Sequence, residues 1–293
     1  HAHYGNALFR ILSKYDPTLA ESLVDFYNLQ VDNYPIPKKI NVEFLLNLNE
    51  VETDIDDEIE LMENDEFKKL MVNYSKQIKN IINNDKLYFI QKIKYIGNLL
   101  SFYIGMINLL HPVITPGNGN ISLRPFFFSG LPPGDSKGSC EKLSNQSFLN
   151  ISSKAVDTLI EHYELERPPY LIRDQFRSRS RSHGYNTGFM NHHSSLDKFH
   201  FETQLLVSII AATVKKRIFF DDWSDILYND LGISLGGGRK TKKHQVENVK
   251  LQTQNLSGVS DTLNKNSELM KNRLVKLRLG VSYSDLGVEI NPL

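Results

Sequence analysis

The order of predicted elements in the last third of the chain restricts the fold more than any other feature. In chain order the pattern predicts an apolar helix at 202–214, a short strand at 217–220, a helix at 221–231, a basic loop at 235–243, a helix at 267–279 and a hairpin at 279–291. This order is typical of a winged helix-turn-helix. We therefore predict a mainly α protein, with an N-terminal helical domain followed by a C-terminal winged helix-turn-helix-like domain over 199–293.

The first part of the chain predicts a helical domain over 1–116. Apolar residues recur at helical spacing through 4–31, where Asp16 is predicted to cap a second helix that begins at Pro17. The strongest helix spans 86–110, because Ile90, Ile93 and Ile96 begin a wide apolar stripe. Such a stripe must be enclosed by other helices, so we expect these residues to be buried.

Residues 117–198 predict an irregular connecting region with one strand and one helix. The strand includes the three phenylalanines at 126–128, and the helix covers 144–163 until Pro168 and Pro169 end it. Residues 173–183 alternate arginine with serine and show no apolar periodicity. We interpret them as an exposed basic linker, which either reaches phosphate groups or is only solvated.

The formal net charge is zero, but the charges are segregated along the chain. The stretch 50–66 holds ten acids and no base, whereas 232–293 holds ten Lys/Arg against five Asp/Glu. The acidic stretch is typical of solvated surface, or of a docking surface for a basic partner. The basic part predicts a local electrostatic footprint and not a protein that coats nucleic acid over its whole surface.

The helix predicted at 267–279, with Ser267 as its cap, has the pattern of a recognition helix. Its apolar residues would pack on the other two helices, and its bases would meet a charged groove. The candidate nucleic-acid-binding residues are Arg173, Arg177, Arg179, Arg181, Arg239, Lys240, Lys242, Lys243, Lys271, Arg273 and Lys276. The same basic surface would also fit an acidic protein partner, and the sequence leaves both readings open.

The stretch 235–243 contains three consecutive glycines before Arg239 and resembles a phosphate-binding loop only superficially. The glycine required before the lysine is Arg239, and we expect neither a strand directly before the loop nor a helix after it. We interpret it as a flexible basic loop and expect no nucleotide.

The sequence offers little support for catalysis. His192 and His193 are adjacent and lack a helical His-x-x-x-His or cysteine pair, although His183 and His200 are further candidate ligands. Cys140 has no histidine near it in sequence. We expect no enzyme, no cofactor and no bound metal. A metal-dependent nuclease that uses His192, His193 and the acids at 54–66 is the minor alternative.

A single cysteine excludes an internal disulfide and fits a reducing compartment. We recognise no signal peptide. The uncharged stretch 96–110 is shorter than the roughly 20 apolar residues that a membrane span needs, so we interpret it as a buried helix. We expect a cytoplasmic protein without a membrane partner.

The C-terminal third resembles the DptG/DndG family of accessory subunits from bacterial phosphorothioation-dependent restriction systems. The segments that carry the resemblance are 205–208, 217–220, 223–232, 274–277, 284–287 and 290–293. The resemblance implies a non-catalytic component of an anti-phage DNA-targeting complex, with an ATPase, helicase-like protein or nuclease as partner. The resulting hypotheses are a subunit that engages the backbone of double-stranded DNA, and a pure protein–protein scaffold without DNA contact.

Overall fold

A computed structural model describes residues 2–33, 65–114, 126–130, 138–163, 168–190, 197–253, 257–283 and 287–293. The described residues are mainly helical, which confirms the predicted class. The helices are α1 (Ala2–Tyr15), α2 (Pro17–Asn33), α3 (Asp65–Ile82), α4 (Phe89–Ile114), α5 (Ser139–Tyr163), α6 (Pro169–Asn186), α7 (Thr203–Thr213), α8 (Phe220–Leu231), α9 (Lys242–Gln252) and α10 (Val259–Lys276). The strands are β1 (Phe126–Phe127), β2 (Ile218–Phe219), β3 (Ile233–Ser234), β4 (Gly280–Tyr283) and β5 (Gly287–Ile290).

The N-terminal helices form as their sequence patterns predict. α2 begins at Pro17, and the Asp16 side chain accepts a hydrogen bond from Thr18 Oγ1 at 2.8 Å. α4 lies at the centre and packs against α1, α3, α5, α6 and α7. Tyr74 of α3 stacks on Tyr103 of α4 with ring centroids 3.7 Å apart. A single cluster of buried apolar side chains runs from Leu8 to Ile290, so the N-terminal and C-terminal elements share one core.

The middle of the chain joins the two ends of the protein. β1 is buried, as predicted for the phenylalanines, and pairs in parallel with β3 through Phe126↔Ile233 and Phe127↔Ser234. α5 packs against α4, α6 and α10. This region therefore contacts both the N-terminal helices and the C-terminal elements.

Residues 173–183 are not a linker, and the connecting region contains two helices instead of the predicted one. They lie inside α6, whose first position is occupied by Pro169, so the prolines that were predicted to end one helix begin the next. Ile172 and Phe176 are only partly buried, and Gly184 is the buried residue of this helix. So few apolar residues among the arginines and serines do not give a recognisable helical pattern in the sequence.

The C-terminal elements follow the predicted order, with additions. β2, β5 and β4 form an antiparallel sheet in the order β2-β5-β4. α8 ends at Gly232, which adopts a left-handed conformation (φ 67°) and confirms the predicted stop. The last helix begins at Val259 and not at Ser267, which lies buried within it. The sequence pattern missed this start because Asn266 interrupts the apolar stripe.

Candidate interaction surfaces

The cations of α10 were predicted to face a nucleic-acid groove, but Lys271 is neutralised within the protein. Its Nζ lies 3.0 Å from Glu268 Oε1 and 3.6 Å from Asp221 Oδ1. It also lies 5.4 Å from the centroid of the Phe220 ring. Only 18% of the Lys271 side chain is exposed, so most of this positive charge is already compensated.

Arg273 is buried, which corrects its predicted place on the open side of α10. Its Nη2 donates a hydrogen bond to the carbonyl oxygen of Phe201 at 2.6 Å. Burial lowers the pKa of Arg273 to about 10, and the nearby Glu202 carboxylate opposes that shift. The guanidinium group therefore ties α10 to the segment before α7 instead of facing solvent.

The exposed side of α10 carries charges of both signs. Lys265 and Lys276 are exposed there, together with Asp261 and Glu268. Four charges of mixed sign on one helical face give little net attraction for a polyanion. The described geometry of α10 therefore does not match that of a basic recognition helix.

The stretch 235–243 is an ordered turn between β3 and α9, and not the flexible loop predicted. A strand directly precedes the glycines and a helix follows them, contrary to our expectation. Gly236, Gly237 and Gly238 all have positive φ, and a Cβ at Gly236 would collide with the Leu263 backbone. A glycine at position 236 is therefore needed for the close packing of this turn on α10.

An internal carboxylate lies where a phosphate would lie in a phosphate-binding loop. Asp225 of α8 accepts hydrogen bonds from the backbone N–H groups of Lys240 and Thr241, each at 3.1 Å, and one from the Thr241 hydroxyl. Backbone N–H groups before a helix are the usual ligands of phosphate in such loops. Because Asp225 already accepts hydrogen bonds from two of them, these N–H groups are engaged within the protein.

The four bases of this turn differ in their surroundings. Arg239 Nε lies 3.8 Å from Asp221 Oδ2, and its guanidinium carbon lies 5.6 Å from the Phe219 ring centroid. Lys240, Lys242 and Lys243 are exposed, and none of them forms an ion pair with a carboxylate in the described parts of the chain. Asp221 thus brings Arg239 and Lys271 together, while the three lysines remain open to solvent.

The arginines of α6 are mostly engaged on the protein surface. Arg173 pairs with Asp157 at 3.2 Å, and Arg181 pairs with Asp197 at 2.6 Å. Arg177 donates hydrogen bonds to the hydroxyl groups of two α5 serines. Arg179 is exposed.

The candidate metal and catalytic residues do not converge among the described residues. His192, His193 and most of the acids at 54–66 lie outside the described ranges. His183 Nε2 lies 3.1 Å from the Ser101 carbonyl oxygen, and His200 is buried. Burial raises the pKa of the Cys140 thiol. No group of three or more His, Cys, Asp or Glu that could hold a metal ion occurs in the described ranges.

An exposed apolar patch near the start of α4 was not predicted. Tyr88 is 80% exposed and Ile90 is 74% exposed, with Leu29 and Ile93 also largely exposed. We define these four residues as the apolar patch. The sequence pattern placed Ile90 and Ile93 in a buried stripe, which is wrong because no described helix covers the first two turns of that face. The width of the apolar stripe on this helix was the only sequence signal that part of it could remain uncovered.

One described helix segment, Phe89–Leu110, is long and apolar enough to pass a test for a membrane span by length and composition. It belongs to α4, and 44% of its most apolar window is buried inside the protein. α4 contacts five other described helices, in agreement with our interpretation of 96–110 as a buried helix.

Comparisons of the chain with protein-family models, with curated proteins and with solved structures give no match.

Proposed function

We propose that this protein is a non-catalytic assembly subunit that binds other proteins of a larger complex. The observation that carries the proposal is the apolar patch. Tyr88, Ile90 and Ile93 are exposed within a stretch of six residues, and clustered exposed apolar side chains are characteristic of protein–protein contact sites. The engagement of Lys271 and Arg273 within the protein further favours this function over DNA recognition by α10.

We further propose that residues 199–293 form a winged-helix-like unit used for assembly. The order α7, β2, α8, α10, β4, β5 and the sheet order β2-β5-β4 support this interpretation. The wing is the hairpin of β4 and β5, and its described strands contain no lysine or arginine. Val281 and Tyr283 are exposed on it. A wing whose described strands carry Glu289 but no base, and which exposes apolar residues, suits a protein partner better than a phosphate backbone.

The resemblance to accessory subunits of phosphorothioation-dependent restriction systems gives this proposal its setting. On that basis the complex is a cytoplasmic bacterial anti-phage assembly, and the partner is an ATPase, helicase-like protein or nuclease. The subunit would hold such an enzyme in place and would contribute no catalytic residue.

DNA contact is the second candidate function, and one observation favours it. Lys242 and Lys243 occupy the first turn of α9, where the helix dipole disfavours positive charge and no acidic residue is present. With Lys240 they form an exposed basic corner, which we define by these three residues. Contacts from so few bases would give weak, salt-dependent binding, with a dissociation constant on the order of 10⁻⁴ to 10⁻⁶ M.

Titration of a fluorescently labelled DNA duplex with the purified chain separates the two functions. The assembly function predicts no saturation at physiological salt below about 10⁻⁴ M protein. Tighter binding that disappears in a Lys240→Ala/Lys242→Ala/Lys243→Ala variant would establish the DNA-contacting function instead. A Lys215→Ala/Lys216→Ala/Arg217→Ala variant is the matched control, because it removes three exposed charges from the corner between α7 and β2.

A further inference from the structure

The sheet formed by β2, β5 and β4 carries a row of side chains across all three strands. Its register aligns Phe219 of β2 with Glu289 of β5, and Glu289 with Val281 of β4. Residues directly opposite each other in an antiparallel sheet point to the same face, so these three side chains lie side by side. Tyr283 joins them, because its hydroxyl group donates a hydrogen bond to Glu289 Oε2 at 3.2 Å. We define these four residues as the outer sheet face.

The outer sheet face is partly uncovered, whereas the opposite face of the sheet belongs to the core. Ile290, which points to that opposite face, is completely buried. Val281 and Tyr283 are 45% and 40% exposed, and Phe219 and Glu289 are partly buried. The outer sheet face therefore presents apolar surface at β4 and at β2, with one carboxylate between them.

Arg239 lies at the β2 end of the outer sheet face with its donors unused. Its guanidinium carbon lies 5.6 Å from the centroid of the Phe219 ring. Its Nε lies 3.8 Å from Asp221 Oδ2, beyond hydrogen-bond distance, and the guanidinium group donates no hydrogen bond to any residue that the structure describes. Asp221 is also shared with Lys271. The aromatic ring therefore supports a planar fork of donors that can bind a further carboxylate.

The corner between α7 and β2 adds positive charge at the same end of the sheet. Lys215, Lys216 and Arg217 are exposed, and among the described residues no carboxylate forms an ion pair with them. Arg217 directly precedes β2, two residues before Phe219. Side chains two residues apart along an extended chain point to the same side, so Arg217 extends the outer sheet face. One end of this face is thus basic and the other is apolar.

We propose that the outer sheet face binds a segment of a partner protein in which an apolar side chain is followed by acidic ones. The apolar side chain would lie against Val281 and Tyr283, and the carboxylates would bind Arg217 and Arg239. The two ends are about 10 Å apart, since two strand spacings separate β2 from β4, and about three residues of extended chain span that distance. The inference rests on the proposed assembly function, to which it adds a second contact surface and the chemistry of its partner.

A nucleic acid fits this surface less well than an acidic protein segment. Glu289 lies in the middle of the outer sheet face, so a ligand that crosses it needs an uncharged position there. A protein segment can place its acids at the β2 end alone. Each strand of a DNA duplex carries a negative charge about every 3.4 Å and cannot avoid the carboxylate.

The probe that tests this proposal is a labelled synthetic peptide in which a tryptophan is followed, about three residues later, by a run of glutamates. The same peptide with lysine in place of glutamate is the charge-reversed control. We expect saturable binding of the glutamate peptide to the full chain, measured by fluorescence anisotropy, and roughly tenfold weaker binding of the control. Equal binding of the two peptides, or binding of neither, would overturn the proposal.

A labelled DNA oligonucleotide, single-stranded or duplex, is the third probe. We expect it to bind more weakly than the glutamate peptide at physiological salt. Tighter binding of the oligonucleotide, lost on removal of Arg217 and Arg239, would assign this surface to nucleic acid and would contradict the proposal.

Variants of the full chain locate the binding site. An Arg217→Gln/Arg239→Gln variant should weaken binding of the glutamate peptide by about fivefold to tenfold, because two charge contacts are lost. Val281→Asp should also weaken it, because it replaces apolar surface by a negative charge. Lys69→Gln/Lys76→Gln, which removes two exposed bases of α3, should leave it unchanged. Equal affinity of all variants would show that the outer sheet face is not the site.

The test also distinguishes failure of the inference from failure of the proposed function. All the substituted side chains are exposed, so thermal unfolding of each variant should be close to that of the wild type. If the glutamate peptide does not bind although the chain is isolated from its native cells in a stoichiometric complex, the assembly function stands and the acidic occupant is wrong. If no complex exists either, both fail.

Discussion

Lys198 and Glu141 form an ion pair from which solvent is almost excluded, with side chains 0% and 3% exposed. The pair ties the segment before α7 to the first turn of α5. Two hydrogen bonds reinforce the same contact: Ser144 Oγ donates to the Phe199 carbonyl oxygen at 2.8 Å, and Asn145 Nδ2 donates to the Asp197 carbonyl oxygen at 2.7 Å. The middle of the chain and the C-terminal elements are therefore joined by a buried polar contact as well as by the shared core.

Replacing one member of this pair should be strongly destabilising. Lys198→Met leaves the Glu141 carboxylate buried without its cation, which costs about 3 to 5 kcal/mol of the free energy of unfolding. Urea denaturation measures the loss. A Lys198→Met/Glu141→Leu variant should recover much of it, because no unpaired charge remains. If the single variant is as stable as the wild type, the pair does not join these segments.

His200 should make the stability of the protein depend on pH. The pKa of His200 is lowered to about 4, mainly by burial; the Met190 backbone opposes this shift, and the nearby Arg273 and Lys198 charges contribute to it. The unfolded chain, whose histidine has a pKa of about 6.5, takes up a proton first as the pH falls. The contribution of His200 is therefore complete above about pH 6.5 and is lost as the pH falls towards 4. Over that window the free energy of unfolding should decrease by about 3 kcal/mol from this group.

A His200→Leu variant isolates that contribution. Because leucine does not titrate, the difference in unfolding free energy between variant and wild type should change with pH between about 6.5 and 4. Chemical denaturation at several pH values measures it. A difference that stays constant over this range would show that His200 titrates alike in the folded and unfolded chains.

Gly236, which precedes α9, and Gly258, which precedes α10, should differ in their tolerance of substitution. Gly236→Ala adds a Cβ against the Leu263 backbone at a position with φ of 75°, so we expect a loss of about 3 kcal/mol. Gly258→Ala has a similar φ of 73° but meets nothing within 4 Å, so only the backbone strain of about 1 kcal/mol applies. Thermal unfolding compares the two. Equal losses would contradict the close packing of the turn on α10.

Removal of the charge should lower the stability at Arg273 much more than at Lys276. Arg273→Met removes the hydrogen bond to Phe201 and should cost about 2 kcal/mol. Lys276 is exposed, so Lys276→Met should change stability by no more than about 0.5 kcal/mol. If both Arg273 and Lys276 were exposed and contacted DNA, neither would be needed for stability. Unfolding of the two variants in urea therefore checks the burial of Arg273.

The sequence predicted those features that depend on local pattern. The helix start at Pro17, the buried strand at Phe126 and Phe127 and the helix stop at Gly232 each follow from a proline, an apolar run or a glycine. These signals act within a few residues of the chain. They can be recognised without knowing which other elements pack against them.

The candidate site depended on tertiary contacts that local pattern does not contain. A charged residue on a helix is usually exposed, so Arg273 was predicted to face outward, yet Phe201 supplies its acceptor from 72 residues away. Ile90 and Ile93 extend an apolar stripe that other helices only partly cover. The parallel pairing of β1 with β3 is likewise a long-range contact.

The mass of the native particle tests the assembly function most directly. The tagged chain is isolated from its native cells, passed over a size-exclusion column and measured by light scattering. It should elute in a complex of defined stoichiometry. An Ile90→Asp/Ile93→Asp variant should elute as the chain alone while its thermal unfolding stays unchanged. A wild-type chain that carries no stoichiometric partner, or a variant that remains fully in the complex, would contradict the account.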